Sequence, residues 1–428
     1  MIKFNDLVKL AKGAHSVKEL RSVVFDGKSA ITAAPLDWMA GVPCSQPALS
    51  APVVVPVEAI QAHMLKSRHL VVMPDHLTNG QGLVTPFNKS NKWDDSVVLG
   101  LMPAQPEADA VSFSLELNAL DRVLVAAGKQ DIRYLLNGVM FDLTDGMLVG
   151  CDGHRLHAYS NRVPQAFADA EKRVEVIYGR DPLRWILNSA SPSAHMTIWN
   201  ATETKGPKTA LLQMADGFVW IRNALDGQYP EWRRVVPAPA GRPVWGELNP
   251  LVLSAAVETM GKATALATGS KGHSVTFDFG NAQVFGPDAH AVLPVTLGLN
   301  TEQADIDLEA LRDGLWCGVE ADYLQDLADC VTGSAKWLFA HEATANQALL
   351  VVDDDFRGVV MPLRGHDKPR MPEPVKKAKP AAMDAMAAQL VAGVVEKAHE
   401  AAKTAQKARK PRKVAPVVKV AQEEPETV

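Results

Sequence analysis

The run Asp152-Gly153-His154-Arg155 contains residue types from which metal and catalytic sites are built. Asp152 and His154 could contribute to a metal site, but no second His, Cys or carboxylate pair lies at ligand spacing nearby. Cys151 is a candidate nucleophile, yet nothing in the sequence marks a base for it. Residue types alone therefore favour a surface turn with solvated charges, because Asp and Gly tolerate turn geometry.

Two apolar segments precede this run and must position it. Residues 135–142 and 147–150 are predicted to be strands, joined by a turn at residues 144–146, Thr-Asp-Gly. The pattern then breaks at Asp152, and a compact loop is predicted there.

The rest of the chain repeats one order of elements three times: helix, strand pair, strand, helix, strands. Helices are predicted at residues 4–14, 56–66 (with Ile60 and Leu65 inward), 117–127, 181–189, 248–260 and 321–330. The remaining strands are predicted at residues 20–26, 29–34, 53–57, 70–73, 82–85, 174–178, 196–199, 210–214, 218–223, 275–279, 282–285, 315–319, 335–339, 348–352 and 359–362. Residues 88–107 are polar and are predicted to be partly loop.

The dipeptide Phe-Asp occurs at an equivalent place in each round, at Phe25, Phe141 and Phe277. A repeat of more than about a hundred residues is too long for a solenoid. Three copies of one domain are therefore predicted, with helices packed on sheets in an α+β fold.

Composition restricts the class of protein. The chain has 428 residues, of which 47% are hydrophobic and 22% charged, as in ordinary soluble proteins. The sequence predicts neither a membrane span nor a signal peptide. Four cysteines without framework spacing indicate free thiols in a reducing cytoplasm. The net charge of -5 does not by itself indicate a nucleic-acid binder.

Residues 366–428 differ in composition from the rest. They are rich in Pro, Lys and Ala, carry about +5, and end in an acidic stretch. Such charge blocks are typical of disordered tails. An inert tail and one making weak nucleic-acid or partner contacts both remain open.

Four blocks carry a resemblance: YLLNG (134–138 region), CDGHRL (151–156), DGQYPEWRRVVP (226–237) and VVMPLR (359–364). In this order and at this spacing they resemble the bacterial replicative sliding clamp, the beta subunit of the replicative DNA polymerase. The resemblance covers residues 111–365 well and residues 1–106 in outline. It implies clamp domains at residues 1–106, 111–238 and 244–365, with the tail at 366–428.

The resemblance implies a binding protein rather than an enzyme, with no cofactor and no metal. Two chains would close head to tail into a ring around double-stranded DNA. Partners would be DNA polymerase, the clamp loader and other proteins that carry a clamp-binding motif, in a bacterial cytoplasm or nucleoid. Because domain 1 diverges and a tail is added, a bacteriophage version in an infected host cytoplasm is equally compatible.

The ring needs basic side chains that face phosphates without reading bases. Candidates on predicted helices or adjoining turns are Lys9, Lys12, Lys66, Arg68, Arg122, Lys129, Arg180, Arg184 and Lys262. Arg133 and Tyr134 match family positions near the DNA path. The predicted helix at 321–330 is acidic and is a poor DNA contact.

The resemblance also implies a cleft between domains 2 and 3 that receives a short apolar peptide. Its positions carry over to Leu136, Gly153, His154, Arg155, Leu156, Pro230, Arg234, Val235, Val359, Met361, Pro362 and Leu363. His154 and Arg155 are expected at the rim as hydrogen-bond donors. For Leu156, Val235 and Val359, plain core packing is the competing interpretation.

Two departures from the family stand out: Cys151 replaces the usual Thr, and some sixty residues follow the last block. A clamp-derived protein that captures clamp-binding motifs without encircling DNA is therefore the second hypothesis.

Overall fold

The structure is a computed structural model of the whole chain. It describes residues 2–13, 21–32, 37–46, 49–87, 110–202, 207–239, 244–268, 274–286, 290–299, 314–339 and 347–363, with residues 242 and 307. Residues 1–368 form one compact unit. The predictions for residues 88–107 and for the tail lie outside the described residues. Among the helices that are described, none has the length and apolar character needed to cross a membrane.

Six α-helices are described, two in each of the ranges 2–87, 110–239 and 244–363, which we call the first, middle and last third. They are α1 (Phe4–Gly13), α2 (Val57–Met64), α3 (Leu117–Leu124), α4 (Arg180–Ile186), α5 (Pro250–Thr268) and α6 (Ala321–Cys330). The two helices of each third pack against each other and against nearby strands. Each buries an apolar stripe; in α1, for example, Leu7 and Ala11 are fully buried.

Twenty-four strands are found in the part of the chain that the structure describes. In the first third they are β1 (Ser22–Phe25), β2 (Ser29–Thr32), β3 (Trp38–Pro43), β4 (Val53–Pro56), β5 (Val71–Val72), β6 (His76–Thr78) and β7 (Val84–Pro86). In the second they are β8 (Ala110–Glu116), β9 (Gly138–Asp142), β10 (Met147–Cys151), β11 (Arg155–Tyr159), β12 (Glu175–Gly179), β13 (Ser193–Trp199), β14 (Ala210–Met214) and β15 (Gly217–Ile221).

In the last third the strands are β16 (Val244–Leu248), β17 (Ser274–Asp278), β18 (Gln283–Phe285), β19 (His290–Val292), β20 (Val295–Leu299), β21 (Trp316–Glu320), β22 (Lys336–Phe339), β23 (Leu349–Asp353) and β24 (Phe356–Val360). All strand pairs described are antiparallel. Antiparallel sheets with packed helices confirm the α+β prediction.

One strand order recurs along the chain. The orders β4-β1-β2-β3, β12-β9-β10-β11 and β21-β17-β18-β19 match one another position by position. A second strand order also recurs. It is β8-β13-β14-β15 in the middle third and β16-β22-β23-β24 in the last third. In the first third, strands β5-β6-β7 correspond to its last three positions. In the last third β20 adds a further strand beside β16. The topology therefore has the threefold repeat that the order of predicted elements indicated.

Sheets cross from one third to the next at two seams. Strand β3 pairs with β15, from Trp38 opposite Ile221 to Gly41 opposite Phe218. Strand β11 pairs with β24, from Arg155 opposite Val360 to Tyr159 opposite Phe356. Each seam joins the last strand of the first order to the last strand of the second. The seams produce one eight-stranded and one nine-stranded sheet.

The repeated Phe-Asp pairs have a structural role at the ends of β1, β9 and β17. Each phenylalanine is fully buried. Each aspartate accepts backbone N–H groups of the following turn: Asp26 from Lys28 and Ser29, Asp142 from Thr144 and Asp145, and Asp278 from Asn281. The dipeptide thus combines a core anchor with a turn cap.

Several predicted elements need correction. Residues 134–137 form a 3₁₀ helix (Tyr134–Asn137), so β9 begins at Gly138 rather than at 135. Leu65 is 88% exposed because α2 ends at Met64. Helix α5 continues to Thr268, beyond the predicted end at 260. Strands β3, β6, β8, β11, β16, β19 and β20 were not predicted.

His157 lies fully buried at the β11–β24 seam, where its Nδ1 contacts the carbonyl oxygen of Arg122 at 2.6 Å. Its Nε2 has no hydrogen-bond partner among the described residues. Burial lowers the pKa of His157 to about 4, and the Arg122 carbonyl offsets this only in part.

This pKa makes the fold sensitive to acid. The unfolded chain takes up a proton near the ordinary histidine pKa, whereas the folded chain does so only near pH 4. The stabilisation by neutral His157 is therefore complete above about pH 6.5 and is lost as the pH falls toward 4. Between pH 7.5 and 5.0 we expect the free energy of unfolding in urea to fall by about 2 kcal/mol from this residue. His157→Asn keeps an N–H donor without titrating and should remove that part of the pH dependence; an unchanged slope would contradict the assignment.

Candidate functional site

The loop between β10 and β11 is organised by the side chain of Asp152. Asp152 Oδ1 accepts the N–H groups of His154 and Arg155, each at 2.9 Å. Gly153 has φ +87°, a backbone conformation that favours glycine, and a Cβ there would lie 2.6 Å from the Arg133 guanidinium and displace it. Asp152 is thus a turn cap, as the predicted turn required.

The chemistry of this loop is not that of a nucleophile or a metal site. Burial raises the pKa of the Cys151 thiol, which reduces the thiolate fraction at neutral pH. Within the described ranges, no cluster of three or more His, Cys, Asp or Glu could hold a metal ion. The exposed part of the loop is Gly153 and His154.

Arg155 differs from its expected place at the rim. It is buried and spends its donors within the chain: Nε on Asp152 Oδ2 at 3.0 Å, one terminal nitrogen on the Val125 carbonyl at 2.8 Å, and the other on Asp326. Its guanidinium also lies 4.6 Å from the ring centroid of Tyr323. The expectation that Arg155 offers donors at the rim is wrong, because the carboxylate of α6 captures it. Arg155 instead ties the loop to helices α3 and α6.

A buried apolar cluster lies behind the loop, and we call it the cleft floor. It contains Leu136, Leu156 and Val359, predicted as cleft positions, together with Tyr229 and Trp232. The three predicted residues come from separate segments of the chain, and the fold brings them together. All three are almost fully buried, which agrees with the core-packing interpretation of Leu156 and Val359, and their role in a cleft stays a prediction.

Exposed apolar side chains lie on the segments that carry this floor. Val235 is 46% exposed and Met361 is 40% exposed. The Met361 N–H donates to the His154 carbonyl at 2.8 Å, which joins the end of β24 to the loop. Among the other predicted positions, Gly153, His154, Pro230 and Arg234 are exposed, whereas Pro362 and Leu363 are half-buried. Large exposed apolar side chains beside an apolar floor are typical of a peptide-binding surface.

A cavity of about 650 Å³ adjoins the loop on the side of α6. It lies between residues 127–131, the loop residues Asp152, His154 and Arg155, and the first turns of α6. The His154 ring stacks on Tyr323 with centroids 6.1 Å apart. His154 therefore lines this cavity beside an aromatic neighbour from the last third, and its place at the rim of a peptide cleft stays a prediction.

Sequence reasoning missed several residues of this region: Tyr229, Trp232, Tyr323 and Asp326. The first two lie inside the DGQYPEWRRVVP block, so their aromatic character was a usable signal. Tyr323 and Asp326 lie on an acidic helix and contact the loop only through the fold.

The residues predicted to face DNA divide into two groups. The first group is exposed and consists of Lys9, Lys12, Lys66, Arg68, Lys129, Arg184 and Lys262. Three of these cations lie beside carboxylates: Lys9 is 3.6 Å from Asp6, Arg184 is 3.5 Å from Asp121, and Lys262 pairs with Glu258. Four others make specific contacts within the chain: Arg122, Arg133, Tyr134 and Arg180.

Those four contacts limit what each group can offer to phosphate. Arg180 is half-buried and donates to the carbonyls of Leu124 and Ala127, at 2.5 and 2.9 Å, at the end of α3; burial lowers its pKa. Arg122 lies 5.9 Å from the Tyr159 ring centroid. Arg133 pairs with Asp131 at 2.6 Å, and the Tyr134 hydroxyl donates to the Asp226 carbonyl. The main role of Arg180 is therefore to cap the C-terminal end of α3.

Comparison with known proteins places this geometry among sliding clamps. No protein-family profile matches the chain. The Beta sliding clamp of Pseudomonas putida is 25% identical over 256 residues, which cover 57% of this chain and 62% of that protein. The Beta sliding clamp of Pseudomonas aeruginosa is 25% identical over 259 residues, with the same coverage. The chain thus spans about 62% of the length of these curated relatives.

Solved structures extend the similarity in fold to 84% of this chain. The DNA polymerase sliding clamp from Pseudomonas aeruginosa aligns with a TM-score of 0.59 and 19% identity, covering 84% of this chain and 96% of that one. The DNA polymerase III beta chain from Streptococcus pneumoniae aligns with a TM-score of 0.60 and 15% identity, with coverage of 84% and 97%. The chain has the fold of the bacterial DNA polymerase III beta clamps, and its sequence is similar to that of the Pseudomonas sliding clamps.

Proposed function

We propose that this chain is a DNA polymerase processivity factor, a sliding clamp that encircles double-stranded DNA and tethers polymerase through the cleft. The observation that carries the proposal is the strand order, which recurs in each third. Among the described residues, it leaves two last strands, one of each order, that take part in no seam between thirds. The fold similarity to solved sliding clamps supports it. We assign the three clamp domains to residues 1–106, 111–238 and 244–365.

The two last strands left outside these seams are β7 and β19. At both seams within the chain, the last strand of the first order pairs with the last strand of the second, as β3 with β15 and β11 with β24. By the same rule β19 pairs with β7, but these lie at opposite ends of the three-domain segment. Among the described residues both are edge strands, and each has an exposed valine: Val84 is 55% and Val292 is 68% exposed. Exposed apolar edge strands are sites for pairing with another chain.

Two chains joined by these strands form a closed head-to-tail dimer with six domains. Each chain contributes β19 to one new seam and β7 to the other. Such a ring holds DNA by topology and needs little binding energy. The exposed cations Lys12, Lys66, Arg68 and Lys129 then contact phosphates without selecting a sequence.

The cleft is the proposed tether. The exposed Val235 and Met361, with the floor behind them, suit a short apolar peptide, and Met adapts to several sequences. DNA polymerase, the clamp loader and other proteins with such a motif are the proposed partners. No chemical step, cofactor or metal belongs to this function, and a cytoplasmic location follows from it.

A second candidate function is a protein that captures clamp-binding peptides without encircling DNA. The tail and the divergent first domain favour it. The two candidates differ in whether DNA passes through a closed ring.

Retention on DNA tests the proposal. We expect the protein, loaded on nicked circular DNA by a bacterial clamp loader, to stay bound through gel filtration in about 0.5 M salt, because topology is insensitive to ionic screening. Cutting the circle once should release it within minutes by sliding off the ends. Equal retention on circular and linear DNA would contradict the ring and indicate ordinary electrostatic binding.

A further inference from the structure

An ion-pair network connects the turn between β9 and β10 to the segment that carries Val235. This segment is the 3₁₀ helix Trp232–Arg234 together with Val235, which follows it as the C-cap. Arg233 pairs with the fully buried Asp142 and, at 2.6 Å, with Asp145; its other terminal nitrogen lies 3.6 Å from Glu175. Three carboxylates from distant parts of the sequence, and a fourth from Glu231 at 4.0 Å, therefore surround one guanidinium.

Arg233 also fixes its neighbours along the chain. Its guanidinium carbon lies 4.5 Å from the ring centroid of Trp232, a residue of the cleft floor. The N–H groups of Val235 and Val236 both lie within hydrogen-bonding distance of the Trp232 carbonyl, at 2.9 and 3.3 Å. The position of Trp232 therefore sets the position of Val235.

Arg173 contacts the same carboxylates from another segment. Its Nη1 lies 2.5 Å from Asp145 and 3.4 Å from Asp142. Partial burial opposes ionisation of Asp145, but the hydrogen bonds from Arg173 and Arg233 outweigh it and lower the pKa of that carboxyl. Arg173 precedes β12 and carries no part of the cleft, so it makes a matched control for Arg233.

The geometry points to Arg233 as a positioning residue for the peptide cleft: by binding the Trp232–Arg234 turn to Asp142 and Asp145, it holds Val235 ready for an apolar peptide. This inference rests on the proposed tethering function. Arg233 is recessed among carboxylates and acts through Trp232 and Val235. Preorganised side chains bind more tightly because less ordering remains to be done on binding.

The test compares Arg233→Met with Arg173→Met. Affinity is measured by fluorescence anisotropy with a fluorescein-labelled six-residue peptide ending in Leu-Phe, and thermal unfolding is recorded for each variant. We expect Arg233→Met to weaken binding about tenfold or more, while Arg173→Met stays within about twofold of the unmodified chain. Arg233→Lys keeps a cation beside Asp142 but loses the planar fork, so its affinity should fall between the two.

The outcomes separate the two levels of inference. If the unmodified chain does not bind the peptide, the proposed cleft fails. If it binds, but Arg233→Met binds equally well, the positioning role is overturned. Equal losses in Arg233→Met and Arg173→Met also overturn it, because they assign the effect to the shared carboxylates. Should Arg233→Met not fold, Arg233→Lys carries the test: weaker binding at an unchanged melting temperature supports positioning, and unchanged binding overturns it.

Discussion

Met361→Asp is expected to abolish binding of an apolar partner peptide while the fold and the dimer persist. Met361 is 40% exposed and its backbone N–H is held by His154, so its side chain is available to a ligand at a fixed position. Burying a large apolar side chain contributes about 1.5–3 kcal/mol, and a carboxylate there must also be desolvated. We expect the affinity measured by fluorescence anisotropy to fall by about 100-fold or more.

The control makes the same change at another exposed apolar residue. Leu266 lies on α5, and Leu266→Asp should leave peptide affinity unchanged. Polymerase stimulation should follow peptide affinity in both variants, and the solution mass should be unchanged. A correctly folded Met361→Asp protein with full affinity would refute the cleft in either candidate function.

Val292→Asp is expected to convert the dimer to a monomer and to abolish retention on circular DNA. The change places a charge on β19, at the seam proposed to pair with β7 of a second chain. Val84→Asp should do the same from the other strand. The measurement is sedimentation at micromolar concentration, and Val71→Asp on β5, at the opposite edge of the β5-β6-β7 sheet, is the control. A dimer in both Val292→Asp and Val84→Asp would reject the β7–β19 seam.

Mixing the two variants tests the head-to-tail arrangement itself. A Val84→Asp chain still has an intact β19, and a Val292→Asp chain still has an intact β7. The mixture should therefore form a heterodimer with one good seam and one damaged seam. We expect the mass of a dimer without retention on circular DNA. A mixture that remains monomeric would contradict head-to-tail pairing, because such pairing leaves one seam undamaged.

Much of the fold could be predicted because local pattern and tertiary environment agree. Helix α6 was predicted with its observed bounds, since Leu324, Leu327 and Ala328 form one apolar stripe. The Phe-Asp pairs marked equivalent turns correctly. Strand β3 escaped prediction because Trp38–Pro43 contains Gly and Pro and lacks alternation; its pairing with β2 and β15 determines it.

The candidate site was predictable only as a set of segments. The similarity of the four sequence blocks predicted that Leu136, Leu156 and Val359 lie together, and the fold places them in one cluster. The burial of Arg155 could not be predicted, because its partner Asp326 lies 171 residues away. Likewise the partners of Arg233 are distant in sequence, so its charge resembled that of an ordinary surface residue. Contacts between distant segments decide which charged side chains are free to bind a ligand.

The lengths of the seams suggest where a closed ring would be easiest to break. The β11–β24 seam pairs five residues and the β3–β15 seam pairs four, whereas β7 and β19 have three residues each. Opening the ring at the shortest strand pair breaks the fewest hydrogen bonds, while the longer strand pairs within each chain remain intact. In such a ring, DNA would enter between the two chains, and the two seams within each chain would stay closed.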